Sequence, residues 1–188
     1  EYVIVTGLNS LSGWRQYKDG IYQTSFDDFE TEYTQLFMNG IYQQMARYPN
    51  QTTDEMLDVS FKSGYDTCVT YSAKRDENTR RVTFPNMPEV EDNYWQGGYF
   101  RGITGHKWMN PHGSIVSNEG KNLMVDPVLR GWQNNNPKAD GSGYGFIYHL
   151  NALDVAGEWY AQNGKIFFKP PKGYNPEELN MEARKREW

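Results

Sequence analysis

Apolar and polar residues alternate along this chain in short runs, and turn-forming residues separate the runs. Tyr2-Val3-Ile4-Val5-Thr6-Gly7 reads as a β-branched opening strand, and GIYQTSF (residues 20–26) alternates with period two. In TQLFMNGIYQQMARYPN (34–50), Leu36 and Met38 precede Asn39-Gly40, and Ile41 and Met45 follow it. Asn-Gly between apolar runs predicts a tight hairpin, because both central residues of a type I′ turn need φ > 0. Near the end, GEWYAQNGKIFFKPPKGYNP (157–176) repeats the device at Asn163-Gly164, and Pro170-Pro171 stops the pairing and redirects the chain.

Between these hairpins the same reading continues. YDTCVTYS and RRVTFP are strands split by the charged turn Lys74–Asn78, and residues 85–94 are loop with a possible helical turn at EVEDNYW. SIVSNEGKNLMVD predicts a strand pair turning at Asn118-Glu119-Gly120. WQNNNPKADGSGYG (132–145) reads as a long polar loop, with GSGYG as its flexible end. FIYHLNALD reads as a strand or a helical turn, and ELNMEARKREW as a final strand. The best helix start is in TTDEMLDVSF, with Thr52 or Thr53 as N-cap and Asp54 and Glu55 in the first turn. About eight to twelve strands with frequent turns predict an all-β fold: a β-sandwich or barrel-like antiparallel sheets with few short helices. No repeat of fixed period is present.

Composition narrows the function classes. Charged residues are 23% and apolar ones 37%, a globular balance, and no apolar run approaches the roughly 20 residues of a membrane span. A net charge of −5 argues against a duplex nucleic-acid partner, and the basic tail Ala183–Arg186 is flanked by Glu182 and Glu187. The lone Cys68 excludes an internal disulfide and reads as a buried small residue in an alternating strand. Aromatics are the outlier: fourteen Tyr, nine Phe and six Trp make 15% of the chain. They favour strands, and they also provide flat faces on which sugars stack.

Catalytic and metal chemistry find little support. His106, His112 and His149 match no zinc spacing, so neither a metal nor a cofactor is expected. GSGYG lacks both the serine of a nucleophile elbow and the Lys-Ser/Thr of a phosphate loop. Asp27-Asp28, Glu91-Asp92, Asp154 and Glu158 are carboxylates of the kind glycosidases pair, but sequence pairs none of them, and no catalytic residue is assigned. Aromatic constellations are better candidates. Tyr94-Trp95-Gln96-Gly97-Gly98-Tyr99-Phe100, Lys107-Trp108 and Gly131-Trp132-Gln133-Asn134 set rings beside amide and basic side chains, the combination sugar recognition uses, with His106 and His112 as substrate-facing imidazoles. The competing reading makes Trp95 and Trp108 core tryptophans beside glycines that permit close strand packing.

Several segments, in order, resemble a family pattern. SGWRQYKDGIYQTSF, TQLFMNGIYQQMARYPN, LDVAGEWYAQNGKIFFKPPKGYNP and ELNMEARKRE resemble the β-rich insert of right-handed parallel β-helix glycoside hydrolases of the family 120 and family 141 type. The resemblance is good at both ends and loose over 52–145. It implies residues 1–10 as a strand of a parent β-helix, 11–178 as the inserted β-rich domain, and 179–188 as the return strand. The opening strand at residue 1, with neither start methionine nor leader, fits the expectation of a piece of something longer. Catalytic carboxylates would then lie on later coils of the parent, and none carries over. The implied role is an accessory domain that shapes or supports a carbohydrate groove. Its partners would be a polysaccharide or oligosaccharide and the remainder of the β-helix, in an extracellular or periplasmic setting. The alternatives are the same domain in a β-helix polysaccharide lyase, or a stand-alone glycan-binding or adhesive module.

Overall fold

The computed structural model describes residues 7–26, 34–51, 64–71, 79–104, 112–127 and 141–184. The chain divides into two units: one formed by residues 1–46 and 153–188, the other by 47–152. The span 11–178, expected as one inserted domain, therefore contributes to both.

The first unit contains β1 (Leu8–Ser10), β2 (Arg15–Lys18), β3 (Ile21–Ser25), β4 (Leu36–Met38) and β5 (Ile41–Gln43). After the second unit it resumes with β13 (Trp159–Gln162), β14 (Lys165–Phe168) and β15 (Met181–Arg184). They form two four-stranded antiparallel sheets, ordered β1-β15-β4-β5 and β13-β14-β3-β2. Both Asn-Gly hairpins are present: Asn39 and Gly40 have φ of 51° and 76°, Asn163 and Gly164 53° and 70°. Leu36, Met181 and Ala183 from the first sheet meet Trp159, Ile166 and Phe168 from the second in one buried core. Among the described residues every ladder is antiparallel, β1 against β15 included; the one parallel contact is an isolated bridge between Met45 and Trp159.

The second unit contains β6 (Arg47–Tyr48), β7 (Asp66–Tyr71), β8 (Arg80–Thr83), β9 (Tyr99–Thr104), β10 (His112–Glu119), β11 (Asn122–Pro127) and β12 (Gly141–Tyr148). Strands β7, β8, β11, β10 and β9 follow one another in the sheet, and β12 pairs with both β7 and β9, which closes a six-stranded barrel. Strand β6 pairs with the end of β12 through Ile147↔Tyr48. The barrel interior holds Cys68, Val82, Phe84, Phe100, Ile115, Leu123, Val125 and Ile147, all essentially without exposure. The all-β expectation holds, with a sandwich-like unit and a barrel both present.

Two expectations change. The described residues already hold fifteen strands, more than the eight to twelve expected. GSGYG, expected as a flexible loop end, is the first half of β12. Gly143 and Gly145 are there because β12 runs very close to β9. A Cβ on Gly143 would lie 2.1 Å from the Ile103 carbonyl oxygen, and one on Gly145 would lie 2.7 Å from the Phe100 ring. FIYHLNALD is both of its readings at once, finishing β12 and then making a 3-10 turn at Leu150–Ala152. The helix start in TTDEMLDVSF, the strand Tyr2–Thr6 and the turn Lys74–Asn78 lie outside the described residues.

Gly143→Ala is expected to lower the melting temperature sharply, since the obstructing atom belongs to the backbone and cannot swing away. Gly7→Ala, with nothing within 4 Å of its added carbon, serves as the control and leaves the melt nearly unchanged. Phe100→Ala empties the centre of the barrel and is expected to cost about 3–5 kcal/mol by chemical denaturation.

Candidate functional site

Alternation on the closing strands puts small or apolar side chains inside the barrel and aromatic ones outside. On β12, Gly143, Gly145 and Ile147 face inward, so Tyr144, Phe146 and Tyr148 face outward. On β9, Phe100 and Gly102 face inward, so Tyr99, Arg101 and Ile103 face outward. The register sets these residues side by side: Tyr148 opposite Tyr99, Phe146 opposite Arg101, and Tyr144 opposite Ile103. His112 of β10 lies opposite Arg101 on its other side. The result is a strip of rings with one guanidinium across three strands, joined by Arg47 from β6.

Its geometry is ordered by ring edges and cations. Phe146 meets Tyr148 edge-on at 5.1 Å and Tyr65 at 5.3 Å. The Arg47 guanidinium stacks on Phe146, 3.8 Å from the ring centroid, and its Nε–H donates to the Pro49 carbonyl at 3.2 Å. Arg47 is buried, where a cation–π contact is worth about 2 kcal/mol against roughly 0.5–1 at the surface. Burial pushes the Tyr148 phenol up, while Arg47 and Arg101, which also hydrogen-bonds it, pull the other way. Tyr144 is 37% exposed, Arg101 is exposed, and Tyr99, Tyr148 and His112 are half-buried. Aromatic rings can take the C–H face of a sugar, and the guanidinium, phenols and imidazole can bond its hydroxyls.

The residues singled out from sequence are dispersed. His112 joins the strip, its ring 6.0 Å from that of Tyr99. Trp95 is 4% exposed, with Tyr94, Tyr48 and His149 packed around it at 4.8, 5.8 and 5.7 Å. A ring so covered belongs to the core and has no open face for stacking. Tyr94 is half-buried against that core. His106, Trp108, Trp132, Gln133 and Asn134 lie outside the described residues. Tyr144, Phe146, Tyr148, Arg101 and Arg47 were not singled out, although the alternation Gly-Tyr-Gly-Phe-Ile-Tyr over 143–148 carries the signal of a strand with an aromatic outer face.

Other reactive groups have structural duties. His149 is buried, and its Nδ1 accepts the Asn151 N–H at 2.9 Å. Nε2 therefore carries the proton and donates to the Gln96 carbonyl at 3.1 Å. Burial holds this imidazole below its ordinary range. Burial, with Asp66 adding to it, pushes the Cys68 thiol up to about 12, which keeps it a thiol at neutral pH. Glu158 is buried and accepts the Val155 N–H at 3.2 Å, while Asp92 accepts the Gly120 N–H at 3.2 Å. Asp154 is exposed, and Asp27 and Asp28 lie outside the described residues. No group of three His, Cys, Asp or Glu side chains that could hold a metal occurs among the described residues.

No family model and no curated protein matches the chain. A solved structure described as "Glycoside hydrolase" is similar to it, with a TM-score of 0.57 and 15% sequence identity. The alignment covers 95% of this chain and 31% of that one. At this identity the likeness is one of fold: an all-β arrangement that occupies about a third of a glycoside hydrolase chain.

Trp95→Ala is expected to destabilise the protein by about 3–5 kcal/mol, read by denaturant titration, as core tryptophan deletions do. Protons should also act through His149. Its native pKa lies below the 6.5 of an unperturbed imidazole, so its stabilising contribution is intact above that pH. The contribution is lost progressively as the pH falls from 6.5 toward the depressed native value. The melting temperature should fall in that window, and His149→Gln should flatten its dependence on pH there.

Proposed function

We propose that this chain is an accessory part of a polysaccharide-degrading glycoside hydrolase, one that walls or supports the carbohydrate groove of a larger chain. The observation that carries the reading is the fold likeness, in which nearly all of this chain corresponds to about a third of a glycoside hydrolase. The outer strip of Tyr144, Arg101, Tyr99, Tyr148 and His112 supports it with the chemistry that sugars require. In such a parent the hydrolytic step belongs to a pair of carboxylates, one protonating the leaving oxygen and the other acting as nucleophile or base. Those carboxylates, and the parallel β-helix coils that the terminal segments resemble, would be supplied by the rest of the parent. An extracellular or periplasmic setting belongs to the same proposal, since a polysaccharide substrate would be met there.

A stand-alone glycan-binding module is the second reading, favoured by the same strip, which needs no catalytic partner to hold a sugar. The two differ in what the strip does for a full-length enzyme. Affinity electrophoresis through gels cast with xylan, pectin or arabinan should show retarded migration of the isolated chain. Tyr144→Ala combined with Arg101→Ala should weaken that retention about tenfold, the loss of one stacking and one charged hydrogen-bonding contact, with an unchanged melt. Unretarded migration in every gel would sink the carbohydrate-contacting role. In a full-length parent, the same pair of substitutions raising KM on polymer but not on a short substrate would favour the accessory reading over the stand-alone one.

A further inference from the structure

The first unit carries a second polar surface that lies apart from the barrel strip in the sequence and shares none of its residues. A concavity of about 400 Å³ opens where β2, β3 and β14 run side by side, lined by Arg15, Gln23, Ser25 and Lys165 with Ser12 and Gly13 at its edge. The register explains the grouping: Arg15 pairs with Gln23, and Lys165 pairs with Ser25 two residues further along β3. Two strand spacings and one two-residue step separate the cations by about 12 Å at the backbone, a gap that their long side chains can close.

Two cationic side chains and no carboxylate are among the residues that line this concavity. Neither Arg15 nor Lys165 forms an ion pair among the described residues, and both are exposed. The carboxylate described beside it, Glu177, is taken up by backbone amides, accepting the Gly13 N–H at 3.2 Å and the Trp14 N–H at 2.8 Å. The Thr24 hydroxyl donates to the Ser12 carbonyl and so fixes the edge where β3 meets the loop before β2. Tyr17, two residues along β2 from Arg15, lies outside the lining; it stands edge-on to Phe167 at 5.1 Å, with the Lys18 ammonium 5.5 Å from its ring centroid. Two cations, an amide and hydroxyls around one hollow are the groups that a negatively charged, hydroxyl-bearing ligand would engage.

We propose that this concavity is a subsite for an acidic sugar residue, whose carboxylate or sulfate ester is seated between Arg15 and Lys165. Gln23 and Ser25 would bond the ring hydroxyls. The planar Arg15 fork suits a two-oxygen anion, and Lys165 adds a point charge. The assignment rests on the carbohydrate reading above and sharpens it toward charged polysaccharides.

Three sugars that differ only at C6 test it: galactose, galacturonate and galactose 6-sulfate. In ¹⁵N-labelled protein at low salt, the amides around Gly13, Ser25 and Lys165 should shift at tenfold or more lower concentrations of the charged sugars than of galactose. The stronger of the two charged responses assigns the anion. Arg15→Glu with Lys165→Glu should abolish the charged-sugar shifts, and the milder Arg15→Gln with Lys165→Gln should weaken them about tenfold if reversal perturbs the fold. Equal responses to all three sugars, or unchanged titrations in both double variants, would overturn the subsite. Inorganic sulfate matching galactose 6-sulfate would overturn the sugar part of the assignment. Retention in polysaccharide gels separates the two readings: retention without charged-sugar shifts sinks the subsite alone, and loss of both sinks the carbohydrate reading as well.

Discussion

The close approach of β12 to β9 is the constraint on which the barrel depends. The two backbones run so near that Gly143 has no room for a side chain, because the Ile103 carbonyl oxygen fills the space. Gly102 and Gly145 face each other in the same ladder, and Phe100 lays its ring over both. One large side chain thus fills the volume that two missing ones leave, which satisfies close packing without a void. Because side chains alternate strictly along a strand, the same register that buries the glycines turns Tyr144, Phe146 and Tyr148 outward. Closing the barrel and presenting the aromatic strip are one event. A slip by one residue would bury three rings where no room exists and expose the glycines.

Polar groups inside the second unit are held by a small set of amide and imidazole contacts. Asn118 is buried; its Oδ1 accepts the Trp95 N–H at 2.8 Å, and its Nδ2 donates to the carbonyls of Glu91 and Gly120 at 3.1 and 2.9 Å. His149 and Asn151 hold the Gln96 and Tyr94 carbonyls from the other side. Buried donors and acceptors left unpaired cost about 1–3 kcal/mol each, so these contacts hold the 91–98 turn against the barrel mouth and keep Trp95 in place. The histidine at this point is a clamp, and its neutral tautomer is part of the clamp.

In the first unit, the points where the chain departs and returns are tied together. The Ala46 N–H donates to the Trp159 carbonyl at 2.7 Å, the Trp159 N–H to Gln44 at 3.0 Å, and the indole N–H to Gln43 at 2.8 Å. Trp159 is fully buried, so these bonds are shielded from water. Trp159 thus ties the strand that returns after residues 47–152 to the segment that precedes them, within the sandwich of the first unit. That is the condition under which a long insertion is tolerated, since closing a loop costs little more as it lengthens.

Local chemistry alone determined much of this protein. Asn39-Gly40 and Asn163-Gly164 specify their hairpins because so few residue pairs accept two positive φ values, and alternation with frequent turns specifies an all-β fold. Cys68 and Trp95 were open to being core residues on the same grounds, by their setting in alternating or glycine-flanked segments. Tertiary structure decided the rest. GSGYG looks like a loop until a neighbouring backbone needs the space its glycines leave. Arg15, Gln23, Ser25 and Lys165 come together only through a register spanning residues 15 to 165. The outer strip likewise joins Arg47, Arg101, His112 and Tyr148, which no local pattern connects. Turns are set by the dihedral limits of single residues, whereas a binding surface is set by which strands pair and at what offset, and that choice is made by the core behind them.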